Sequence, residues 1–130
     1  MTDRSLIELA RAAMRHSYSP YSRFPVGAAI ECADGRVFTG CNIENVAFGA
    51  TMCAEAVALA SAVSVGAREF LRIAIVSDGK TYCYPCGNCR QLLSEFSPEI
   101  EVLCVRGDGR YVSYPLTRLL AESFGKGQLG

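Results

Sequence analysis

Two short stretches hold the residues with reactive potential: Cys53 and Glu55 in TMCAE, and Cys86 and Cys89 in PCGNC. Cys86 and Cys89 stand three apart, which puts both sulfurs on one side of a helical turn and within reach of one ion. Alone, that pair fits a redox dithiol, a structural zinc ribbon or a catalytic metal site. Cys53-Ala54-Glu55 shifts the balance toward the third. A third thiolate completes the ligand set that leaves a catalytic zinc one open position for water. A carboxylate two residues on can sit beside such a metal without binding it, take a proton from the water and deliver it elsewhere. By itself Glu55 would read as a solvated glutamate favoured by a helix dipole.

The elements around these residues follow from periodicity. Apolar residues recur at helical spacing from Ser5 to His16, predicting a first helix. SYSPYSRFP is a loop. VGAAIEC and RVFTGC, joined at Asp34-Gly35, read as a hairpin. CAEAVALASAVSV is apolar on nearly every face, which predicts a deeply buried helix with Cys53 at its start and Thr51 as a possible cap. LRIAIVS and EVLCVR are short apolar strands separated by the amphipathic helix NCRQLLSEF. RYVSYP is a fifth strand, and PLTRLLAESF a last short helix and tail. Helices alternating with apolar strands imply βαβ crossovers and a covered sheet. The expected fold is a three-layer α/β/α sandwich with a mixed five-stranded sheet. Three thiolates near two helix N-termini are physically sensible, because the positive dipole ends lower thiol pKa values and favour the anions.

The chain is 130 residues long, and its 13 basic and 13 acidic side chains cancel. That length suits one domain, 1–130. A neutral chain without a basic run lacks the footprint for a phosphate backbone, which argues against a nucleic-acid partner. The longest uncharged stretch, Ala56 to Ala67, falls short of the roughly 20 residues a membrane helix needs. Seven cysteines, an odd count, and a charged start without an apolar signal region argue for a reducing, cytoplasmic setting.

Cys-Ala-Glu followed by Pro-Cys-x-x-Cys resembles the zinc signature of the cytidine deaminases, in the form with cysteine where polynucleotide-editing members have histidine. PYSRFPVGAA, GCNIEN and LLAESFG continue the resemblance over nearly the whole chain. It implies that Cys53, Cys86 and Cys89 hold one Zn²⁺ per subunit. Glu55 would accept the water proton, pass it to N3 of the pyrimidine as C4 is attacked, and protonate the departing amine. The implied activity is hydrolysis of cytidine and deoxycytidine to uridine and deoxyuridine plus ammonia, in pyrimidine salvage.

Asn42 and Glu44, two apart in an extended segment, point the same way and together offer a sugar hydroxyl a donor and an acceptor. The resemblance implies that they bind the ribose 3′-hydroxyl. It also implies that Phe24 packs by the base, that the Ala54 backbone contacts it with Cys86 near enough to do the same, and that Phe124 reaches a neighbouring subunit's site in a homotetramer. Val46, Ala47 and Phe48 match another inter-subunit loop, where Phe48 lacks the hydroxyl of the tyrosine often found there.

Two features depart from the pattern. Ala56 stands where many relatives carry an arginine beside the zinc sulfurs, so backbone N–H groups and helix dipoles must balance more of the thiolate charge. Cys83 creates a second, overlapping Cys-x-x-Cys, so that four cysteines would suffice for a closed structural site without a water. It precedes the helix start and matches no family ligand, and reads as a free thiol. Cys32, Cys41 and Cys104 read as small buried strand residues, and His16 as a surface or packing residue of the first helix. Among rivals, blasticidin S-type deaminases share the zinc pattern but not the Asn-Ile-Glu-Asn form. A thioredoxin-like dithiol leaves Cys53 and Glu55 without a purpose.

Overall fold

In a computed structural model, which describes residues 1–129, one sheet runs in the order β2 (Val37–Cys41), β1 (Val26–Cys32), β3 (Phe70–Ser77), β4 (Glu101–Val105), β5 (Tyr111–Pro115). Strands β1 and β2 form the expected hairpin, closed where Gly35 takes φ +94, a conformation that favours glycine. β1 also pairs antiparallel with β3. β3 pairs parallel with β4 across a helical crossover, and β4 pairs antiparallel with β5. The sheet is therefore mixed, as expected.

Alternation along the central strands sends side chains to two cores. Ile30, Ile73, Ile75, Val102 and Cys104 join one cluster, while Ala29, Ala74, Val76, Leu103 and Val105 join the other. Helix α1 (Asp3–Met14) covers the second cluster with Leu6, Ile7 and Ala10. Helices α2 (Ala54–Ser64) and α3 (Gly87–Phe96) supply Ala58, Leu59 and Leu93 to the first. The result is the three-layer sandwich.

Several boundaries differ from expectation, each for a local reason. α1 starts two residues early because Thr2 and Ser5 form a reciprocal capping box, and it ends at Met14, leaving His16 in the following turn. α4 is one turn only, Leu116–Leu119, after which Glu122 adopts φ 51 and the chain leaves helical geometry. Two 3₁₀ turns, Phe48–Ala50 and Lys126–Gln128, have too little periodicity to be read from sequence. Helix α2 is not buried all round: Ala54, Ala58 and Ala62 are, but Ala60 is exposed and Val57 and Val63 are half-buried. A helix lying on one sheet buries one face, whatever the polarity of the other. Cys32 and Cys104 are buried strand residues, whereas Cys41, at the end of edge strand β2, is half-buried.

Candidate metal centre and active site

Cys53 is the N-cap of α2 and Cys86 the N-cap of α3, and neither uses its side chain as a cap. Their thiols are thus free for other work at the positive ends of helices of 11 and 10 residues. Thr51 is not the cap; its hydroxyl instead accepts the Asn45 N–H at 3.1 Å. Gly40 on β2 fixes where α2 begins, because a Cβ there would stand 2.6 Å from both the Ala54 carbonyl and the Ala58 nitrogen. Only glycine lets the helix sit this close to the strand.

The sulfurs of Cys53, Cys86 and Cys89 lie within 4.8 Å of one another, and Cys53 Sγ is 3.8 Å from Cys86 Sγ. Tetrahedral Zn²⁺ with bonds of about 2.3 Å spaces its sulfurs about 3.8 Å apart, so the set fits that ion. Hydrogen bonding from the Cys89 thiol, helped by Cys86 and opposed by burial, holds Cys53 down at about 6. Cys89 is pushed up, chiefly by sharing its proton with Cys53 and by burial. One thiol of the set is therefore ready to ionise, and metal binding would release the remaining protons.

Glu55, in the first turn of α2, is buried, and burial pushes its carboxyl up to about 7 despite a backbone hydrogen bond. It lines a cavity of about 260 Å³ together with Phe24, Asn42, Ala54, Cys53 and Cys86. Cys83 and Tyr84 also reach this wall, which the sequence did not indicate. Cys83 stays outside the three-thiol set; burial pushes it up to about 12, which disfavours its thiolate.

Asn42 and Glu44 face adjoining cavities rather than one. The buried Asn42 amide accepts from the Val26 N–H at 2.9 Å and from the Ser17 hydroxyl, and donates to the Phe24 carbonyl at 2.8 Å. It thereby holds the loop that carries Phe24. Glu44 accepts from the Tyr21 and Ser22 N–H groups and the Ser22 hydroxyl, which holds its carboxyl below the usual range. It lines a second cavity of about 450 Å³ with Tyr21, Ser22 and Phe48. Backbone pairing of Ile43 with Met52, and of Tyr18 with Asn42 and Glu44, braces this loop against the start of α2.

Phe124 lies apart from both cavities. Its ring is exposed beside Glu95 and Phe96, and its carbonyl accepts from Gln91 at 2.9 Å. Val46 and Phe48 are also exposed, at 78% and 77%, and Phe48 meets Tyr21 edge-on.

Residues 1–105 match the family model described as the cytidine and deoxycytidylate deaminase zinc-binding region. A cytidine deaminase of Sporosarcina psychrophila is 41% identical over 127 residues, 95% of this chain and 92% of that protein. The crystal structure of cytidine deaminase from Burkholderia pseudomallei superposes with a TM-score of 0.92 at 43% identity, covering 95% of this chain and 100% of that one. A blasticidin-S deaminase of Bacillus cereus is further away, at 32% over 91% of this chain and 89% of its own. Fold, thiol set and similarity over almost the full length agree, and the chain belongs to the cytidine and deoxycytidylate deaminase family.

Proposed function

We propose that this chain is a zinc-dependent cytidine deaminase, hydrolysing cytidine and deoxycytidine to uridine and deoxyuridine with release of ammonia. The observation that carries the reading is a buried carboxyl, Glu55, in the same cavity as Cys53 and Cys86, two of three convergent thiols whose third member, Cys89, is buried behind them. Cys53, Cys86 and Cys89 would hold Zn²⁺, which would supply Lewis acidity and a water of lowered pKa there.

Glu55 does the proton work. It takes one proton from the attacking water and places it on N3 as the C4–O bond forms. It then carries the second to the amine as the C4–N bond breaks, so water and cytidine leave as uridine and ammonia. A carboxyl held near 7 serves as base and then acid at neutral pH. Phe24 offers a flat apolar face to the base, and the buried Ala54 backbone closes the cavity beside it. Where the two cavities adjoin, Asn42, with one amide hydrogen not used within the protein, and Glu44, with acceptor capacity left over from its three protein partners, take the sugar's 3′-hydroxyl.

The same reading makes residues 1–130 one domain, with no nucleic acid or membrane as partner; no helix among the described residues is long and apolar enough to cross a membrane. The protein assembles as a homotetramer in which Phe124 and the loop of Val46, Ala47 and Phe48 complete neighbouring sites. The exposure of the apolar side chains of Val46, Phe48 and Phe124 supports this. A reducing cytoplasm keeps seven free cysteines reduced, as pyrimidine salvage by this centre requires.

The ligand set is tested by zinc content and by the ultraviolet change on adding cytidine. Cys89→Ser should lose both zinc and turnover, and Cys83→Ser should keep both. Loss of zinc from Cys83→Ser would instead support a closed four-cysteine site.

A further inference from the structure

Thr51 is the one residue common to the walls of the cavity that holds Glu55 and the cavity that holds Glu44. The inner cavity, about 260 Å³, is smaller than the roughly 300–1,000 Å³ of usual small-molecule sites. It has room for the base, and the sugar must continue past Thr51 into the outer cavity, where Glu44 stands. The shortest covalent path from base to 3′-oxygen runs through C1′, C2′ and C3′. With the base at Glu55 and the 3′-hydroxyl at Glu44, a residue between them faces C2′.

The Thr51 hydroxyl is prepared for that position. Its oxygen already accepts the Asn45 N–H at 3.1 Å, which fixes it, and among the described residues its own proton has no acceptor. Thr51 is half-buried, so the unused donor stands partly shielded from water. We propose that Thr51 donates a hydrogen bond to the 2′-hydroxyl and so determines preference for ribonucleosides over deoxyribonucleosides. The assignment rests on the deaminase reading above.

The test compares kcat/KM for cytidine and 2′-deoxycytidine in the zinc-loaded protein and in Thr51→Val and Thr51→Ser. Thr51→Val should lower the cytidine-to-deoxycytidine ratio about fivefold, the worth of one neutral hydrogen bond, mainly through KM for cytidine. Thr51→Ser, which keeps the hydroxyl, should keep the wild-type ratio. If Thr51→Val does not fold, Thr51→Ala carries the same comparison. A purely structural role, through the lost Asn45 contact, slows both substrates alike; an unchanged ratio overturns the assignment while leaving the deaminase reading intact. A zinc-loaded wild-type protein inert toward both substrates defeats that reading, and this assignment with it.

Discussion

At the scale of single residues the site is an exercise in where charge is placed. Glu55 holds its proton up to about 7, against an ordinary 4.5, because burial disfavours the carboxylate. The folded state therefore binds that proton more tightly than the unfolded chain. The stability this brings is complete below about pH 4.5 and is lost as pH rises through 7. In the metal-free protein, Glu55→Gln should thus be more stable than wild type above pH 7 by about 3 kcal/mol, with the gap nearly closed at pH 4. Denaturant melts at the two pH values check this, and a pH-independent gap contradicts it. Ala56 tests the other half of the charge balance. Ala56→Arg adds a cation near three thiolates and favours the deprotonated form of every group there. The acid limb of its kcat/KM profile should move to lower pH. An unmoved limb would count against backbone N–H groups and helix ends carrying the burden that an arginine at this position would share.

At the scale of elements, two helix starts and one glycine bring the thiols together. Gly40→Ala would press a methyl into the first turn of α2. It should cost about 1–3 kcal/mol and weaken zinc binding, since Cys53 moves with the helix. Gly127→Ala, where a Cβ meets nothing within 4 Å, is the silent control. Comparable melting temperatures and zinc affinities for the two variants would contradict this role for Gly40. That contact shows why part of the molecule was legible in advance and part was not. Strands β1, β3 and β4 and helix α3 were readable because each carries its own period and its own turn signals. Cys53, Glu55, Cys86 and Cys89 were readable because ligand spacing is local. The close approach at Gly40 pairs residues far apart in sequence, and no local pattern reports it. Thr51 is a possible cap by residue type, whereas its hydroxyl answers to Asn45 in the neighbouring loop. The separation of Asn42 from Glu44 was hidden too: extended spacing sets the direction of two side chains, while loop bracing decides which cavity each one meets.

At the scale of the whole molecule, a neutral 130-residue chain keeps its core in two layers and leaves its apolar surplus outside, at Val46, Phe48 and Phe124. If these side chains complete neighbouring sites, Phe124→Ala should raise KM for cytidine several-fold while sedimentation still reports a tetramer. A monomeric wild-type protein with full activity would contradict that arrangement. At the centre of the proposed function, three thiols would hold a metal for a reaction whose protons Glu55 would move. Its most direct test measures zinc content and ammonia release from cytidine in the same preparations of wild type and Glu55→Gln. About one zinc per chain in both is expected, with turnover in the variant down by about 10²–10⁴-fold or more. A zinc-loaded wild type that releases no ammonia, or a Glu55→Gln protein that works at the wild-type rate, would contradict the account.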